Sequence, residues 1–225
     1  MVSKIFWQDP YLAELDTHLT SVKGDEVTVA ETIFFAFSGG QEGDQGTIGG
    51  HRVVSARKHD LEIIYTLEPD HGLAAGDAVN ISIDWSRRYK LMRLHFAAEL
   101  VLELAYQRLG GVTKVGAHIA EDKARIDFEW PENISGLLAE LEAEVRGIVG
   151  ADQPIICGFS DEANERRYWK IENFSEVPCG GTHVRKTGEI GKVTLKRKNP
   201  GKGKERIEIV INNDVSSVQA GTNTN

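Results

Sequence analysis

Along the first 84 residues, apolar and polar side chains alternate with a period near two, in short runs broken by Gly, Asp and Pro. That is the pattern of half-buried strands. HLTSVKGDEVTVAE reads as a hairpin, two β-rich runs joined around Gly24-Asp25. ETIFFAF, GTIGGHRVVSAR, LEIIYTL and AVNISID read as further strands, and strands so short and closely spaced suggest a small barrel. The period changes at Asp84. This residue is a good N-cap, and a helix is expected from there to Leu109, where Gly110-Gly111 stops it. Leu91, Met92, Leu94, Phe96, Leu100, Leu102 and Leu104 spread apolar surface over several faces, so the helix should be buried rather than amphipathic. Polar residues inside such a helix need partners, which draws attention to His95 and Glu99.

Beyond it, VGAHIAEDKARIDFEW reads as a hairpin turning at Glu121-Asp122. A second helix is expected over 135–149, capped by Ser135 and ended by Gly150. Strands follow near PIICGF, RYWKIENF, GEIGKVTLKRK and RIEIVIN. The fold class is therefore α+β: a small N-terminal β-barrel over 1–84, then an α/β two-layer domain over 85–212. The tail 213–225 is polar and poor in apolar residues, and is expected to be disordered.

Composition narrows the setting. No apolar run approaches the roughly 18 residues that span a membrane, and MVSKIFWQDP lacks the apolar core of a signal peptide. Two cysteines, Cys157 and Cys179, make no disulfide framework, so a reducing cytoplasm is the simplest location. The net charge of -8 argues against a polyanionic partner, but its distribution argues the other way. Nine basic residues and only two acidic ones lie between positions 185 and 206, and Arg87, Arg88, Lys90 and Arg93 open the long helix. These groups form either a basic face for a polyanion or solvated surface.

Two short constellations carry chemistry. His95 and Glu99 are four apart on a helix and project from one face, as two ligands of one metal ion would, or as a plain i, i+4 pair. Cys179-Gly-Gly-Thr-His183 offers a thiolate and an imidazole, both suited to zinc, with glycines that let a tight loop bring them together. Two such half-sites would complete a four-coordinate centre. Cys157, at the end of an apolar strand, reads as plain core.

CGGTHVRKTGEIG resembles the signature loop of the alanyl-tRNA synthetase editing domain and its free-standing relatives, the AlaX family. SGGQEGDQG resembles the family's glycine-rich GGQ-x-x-D-x-G segment, and DWSRRYKLMRLHFAAEL its D-W-x-R-R…M-R-x-H-T-A-x-H-L helix. The resemblance runs over 34–211 in the family's order. It implies an N-terminal barrel, an editing domain, and zinc held between the helix and the C-x-x-x-H loop. By position the ligands are His95, Glu99, Cys179 and His183. Glu99 stands where the family has a second histidine and Phe96 where it has a threonine. Glu99 then ligates, acts as a general base, or leaves its place to water. The resemblance also turns the loop of Gln41 and Asp44 toward the editing pocket, and makes Gln41, Gly181 and Thr182 contacts for the aminoacyl group. The catalytic set it implies is Glu99, Gln41 and Thr182. The implied reaction is zinc-dependent hydrolysis, in trans, of seryl or glycyl esters on alanine tRNA. Arg87, Arg88, Lys196, Arg197 and Lys198 are the implied tRNA contacts. The alternatives are a non-catalytic tRNA or partner binder with a decayed site, or a metal hydrolase of another small ester.

Overall fold

A computed structural model describes residues 2–212 and residue 221. The tail read at 213–225 lies outside the described residues apart from Gly221, whose amide donates to the Tyr11 carbonyl at 3.0 Å. The fold is mixed α+β, mostly strands with two α-helices among the described residues. Neither helix is long and apolar enough to cross a membrane. The chain divides into two compact units: residues up to Ser38 with Glu42–Tyr89 and Gly221, and Gly39–Gln41 with the residues from Lys90 on.

The first unit holds β1 (Ser3–Lys4), β2 (Glu14–Lys23), β3 (Glu26–Val29), β4 (Glu31–Thr32), β5 (Gly46–Ile48), β6 (His51–His59), β7 (Glu62–Leu67) and β8 (Ala78–Ile83). β2, β3, β7, β6, β5 and β8 pair in that order, and β8 returns to pair with β2, so the ring of six strands closes. Alternation does the sorting. In β7, Ile63, Tyr65 and Leu67 are buried while the residues between them are half-buried. They join Leu19, Val27, Ile48 and Ile81 in one apolar core.

Two readings need correction here. GTIGGHRVVSAR is two strands, because Gly49 and Gly50 both take positive φ and make the tight turn between β5 and β6. ETIFFAF is a strand only at Glu31–Thr32. Residues 33–36 are buried outside any strand, and side chains take over several of their backbone groups, while the Phe35 carbonyl accepts from the Asp44 amide. The Ile33 carbonyl accepts from the Arg88 guanidinium at 2.5 Å, and the Phe35 amide donates to the Asp44 carboxylate at 2.6 Å.

The long helix α1 (Trp85–Arg108) starts under a side-chain cap: the Arg87 amide donates to Asp84 Oδ1 at 3.1 Å. The second unit continues with β9 (Thr113–Ile119), β10 (Ala124–Glu129), α2 (Ser135–Gly150), β11 (Ile156–Asp161), β12 (Arg166–Ile171), β13 (Ser175–Pro178), β14 (Val193–Gly201) and β15 (Lys204–Ile211). One antiparallel sheet runs β14-β15-β10-β9 and a second β11-β12-β13. Met92, Phe96, Leu100, Phe128, Trp169 and Ile207 are fully buried in this unit. α2 packs on β14 and on the short turn Thr187–Ile190. Ser135 is the first residue of α2 rather than its cap. It follows Ile134, which makes no side-chain cap bond, and its amide donates to Asn133 Oδ1 instead.

Candidate metal centre

β12 and β13 pair as far as Pro178, and the Cys179 amide then donates to the Arg167 carbonyl at 2.9 Å. The chain leaves the sheet at Cys179 and is caught again at residue 185, whose carbonyl accepts from the Ile155 amide at 2.8 Å. Between these anchors Gly181 passes so close to α1 that a Cβ there would stand 2.6 Å from the His95 ring. Only glycine fits that approach. It brings Cys179 and His183 to His95.

His95 Nε2 lies 3.2 Å from Cys179 Sγ, and His183 Nε2 lies 3.3 Å from the same sulfur. The donor atoms of the three residues fall within 4.8 Å of one another, a group able to hold a metal ion. Donors bound to a tetrahedral zinc stand about 3.3–3.6 Å apart, given Zn–N and Zn–S bonds of about 2.0–2.3 Å. The observed separations suit that centre. Burial pulls the His95 pKa below its ordinary value of 6.5 against the opposing charge of Glu99. It pulls His183 lower still, with His95 and Arg167 adding to the effect. Burial, reinforced by Glu99, pushes the Cys179 thiol far above its ordinary range. Without a cation the donors are therefore neutral, and a dication is what would draw out the thiolate.

Glu99 touches this group from one side. Its Oε1 stands 3.7 Å from His95 Nε2 and 3.8 Å from Cys179 Sγ, while its Oε2 accepts from the buried Trp169 indole at 3.0 Å. Phe96 packs edge-on against both Trp169 and His183. Gln41 arrives from the glycine-rich loop. Gly39 and Gly40 take positive φ, Gln41 bridges to Ile119, and a Cβ on Gly40 would meet the Ala117 carbonyl at 2.6 Å. Buried Gln41 donates through Nε2 to Thr182 Oγ1 at 3.0 Å, and its Oε1 has no hydrogen-bond partner among the described residues. The structure thus gathers His95, Glu99, Cys179, His183, Gln41, Gly181 and Thr182 in one place.

The remaining candidates are engaged in other bonds. Asp44 is bound to Arg88 in the first unit. Arg88 is 0% exposed, donating also to the Pro10 and Ile33 carbonyls, and is no phosphate contact. Arg87 bonds Glu42 Oε2 at 2.6 Å and the Gly43 carbonyl at 3.2 Å. Arg197 donates through Nε and Nη2, one edge of its guanidinium, to both oxygens of buried Glu205, at 2.6 and 2.5 Å. Its neighbours Lys196 and Lys198 are exposed.

Cys157 is not core. It lies exposed on β11 with its sulfur 3.1 Å from His183 Nδ1. The sulfur itself is largely enclosed, and desolvation pushes this thiol up to about 11 against the pull of Arg167. Sequence reasoning also missed Trp169, which sits in an alternating strand like any core aromatic.

The family model described as the threonyl and alanyl tRNA synthetase second additional domain matches residues 167–208. The chain is 32% identical to the alanyl-tRNA editing protein AlaX-M of Pyrococcus horikoshii, over 93% of this chain and 97% of that protein. It is 29% identical to AlaX-M of Methanosarcina barkeri, over 94% and 99%. It is likewise 29% identical to an alanine–tRNA ligase of Methanococcus aeolicus, over 91% of this chain but 25% of the ligase.

Proposed function

The chain belongs to the AlaX family of alanyl-tRNA editing proteins, and we propose that it is a zinc-dependent hydrolase acting in trans on alanine tRNA mischarged with serine or glycine. We read the ring of six strands as the family's N-terminal barrel, 1–84, and residues 85–212 as its editing domain. The observation that carries the function is the compact group His95, Cys179 and His183, with a held carboxylate beside it and an amide oxygen that has no partner among the described residues.

His95, Cys179 and His183 would hold the zinc, a donor set of two imidazoles and a thiolate that suits it. Zinc bound there supplies Lewis acidity toward the ester carbonyl. Glu99 is the general base. Trp169 fixes Oε2, so Oε1, which faces His95 and Cys179, is the oxygen that would take a proton from the attacking water. Gln41 binds rather than reacts. Its amide nitrogen is occupied by Thr182, which turns Oε1 out as an acceptor for the α-ammonium of the aminoacyl group. Thr182 holds that orientation, and Phe96 walls the site with apolar surface. Lys196 and Lys198 are the exposed contacts for tRNA phosphates.

The test is deacylation of seryl-, glycyl- and alanyl-tRNA for alanine, with native protein, chelated protein and His95→Ala. Hydrolysis of the first two esters, lost on chelation and restored by zinc, is the expected result. Zinc bound stoichiometrically without hydrolysis of either ester would make the chain a binding module instead.

A further inference from the structure

We infer that Cys157 is a positioning residue for the metal centre, holding the ring of His183 through its Nδ1. This rests on the reading of His95, Cys179 and His183 as zinc ligands. An imidazole that offers the Nε2 lone pair to a metal carries its proton on Nδ1, and that N–H needs an acceptor to fix tautomer and ring plane. His183 turns Nε2 toward Cys179 and Nδ1 toward Cys157 Sγ, 3.1 Å away. Ligand histidines commonly use a carboxylate or a carbonyl for this purpose. Here a sulfur stands in that place. His95 lacks the equivalent: its Nδ1 is buried with no hydrogen-bond partner among the described residues. The centre therefore has one imidazole held at both nitrogens and one held through Nε2 alone.

The sheet explains why the thiol is there. Cys157 of β11 pairs directly with Trp169 of β12, and paired residues share a face. On that face Trp169 donates to Glu99, and Cys157 faces His183. One cross-strand pair thus supports two members of the site from behind. Cys157 as a residue is exposed on β11, and its sulfur is the part turned inward, against His183.

The experiment measures zinc affinity of the purified full chain by competition with a chromogenic chelator, for native protein, Cys157→Ala and Cys157→Ser. Serine keeps an acceptor and alanine does not. Alanine is expected to weaken zinc binding about 10–100-fold, the usual cost of losing such a partner, while serine recovers most of it. Thermal midpoints of the three chelated proteins should agree, since the role needs the metal. In the zinc-loaded protein, the His183 ring Nδ1–H signal should exchange faster with alanine than with serine. Equal affinity of native and alanine proteins overturns the inference, and so does equal loss with serine and alanine. Native protein that takes up no zinc overturns the metal reading itself, a separate result.

Discussion

Arg88 with Asp44, and His95 with Cys179 and His183, are both polar clusters withdrawn from water, and they are satisfied in opposite ways. Arg88 donates to both oxygens of Asp44 and to the Pro10 and Ile33 carbonyls, and Asp44 also accepts from the Phe35 amide. That cluster is complete. It ties a ladderless stretch of backbone to the start of α1 and has nothing left to offer a ligand. The second cluster has donors held neutral by burial, an imidazole nitrogen and an amide oxygen without partners among the described residues, and a thiol that resists ionisation. Buried groups left in that condition cost stability unless something else completes them. Complete buried polar clusters therefore mark structure, and incomplete ones mark sites.

The sharpest way to break this contrast is to unbalance the complete cluster. Arg88→Met leaves Asp44 buried and uncompensated, and should cost about 3–5 kcal/mol of stability. The double variant Arg88→Met with Asp44→Leu should recover a large part of it, because no buried charge remains. Denaturant unfolding of the chelated proteins decides this, and zinc affinity of whatever remains folded should not change. Loss of zinc binding in folded Arg88→Met protein would mean that the cluster does more than support the backbone.

Next comes Glu99, which separates a proton acceptor from a ligand. Glu99→Gln keeps the shape and the bond to Trp169 but cannot accept a proton. The deacylation rate should fall about 10²-fold or more, within the range for general bases, with zinc retained. Zinc lost along with the rate would make Glu99 a ligand. Full activity with zinc retained would end both roles.

A smaller effect lies in the pH dependence of the metal-free protein. His95 and His183 have folded pKa values below the ordinary 6.5, so under acid conditions the unfolded chain binds more protons. Their contribution is complete above 6.5 and is lost as pH falls below it. Cys179 works at the other end. Its folded pKa is raised from the ordinary 9.0, so its contribution is present below 9.0 and is lost as pH rises above it. Unfolding free energy of chelated protein should fall on the acid side below 6.5, and His183→Gln should flatten that limb. Parallel limbs in the two proteins would show that these rings do not drive it.

Much of this was legible in the pattern of residues. The two helices, the hairpins at Gly24 and Glu121, and most of the C-terminal strands follow from periodicity and turn chemistry, whereas β13 was not read and GEIGKVTLKRK opens with the turn Thr187–Ile190 and becomes a strand only at Val193. ETIFFAF was misread because its backbone is satisfied by Asp44, from the glycine-rich loop that follows, and by Arg88, 55 residues away from Ile33, and neither leaves a trace in the run itself. Cys157 was misread because strand position predicts burial of the residue, not the neighbour its sulfur meets. Trp169 carries no sequence signal for its hold on Glu99, since a buried indole is expected in any alternating strand. What periodicity reads is the face that a residue occupies. Partners across the fold come only from the packed chain.

The basic stretch gives the smallest expected effect and the cleanest division between structural and binding charge. Positions 196–198 are consecutive on β14, so their side chains alternate between faces. Arg197 is bound to Glu205, which is buried, whereas Lys196 and Lys198 are exposed. Replacing all three together would mix two effects. Lys196→Ala with Lys198→Ala should weaken tRNA binding modestly and make the dependence of log affinity on log salt shallower by roughly 1.4–1.8, the value for two released counterions. Thermal stability should hardly change, because exposed charges contribute little. Arg197→Ala should do the reverse: it leaves Glu205 buried without its cation, lowering stability while the salt slope stays as it was. A double lysine variant with an unchanged slope would remove this strand from the tRNA surface, and an Arg197→Ala variant that changed the slope alone would erase the distinction between the two kinds of basic residue.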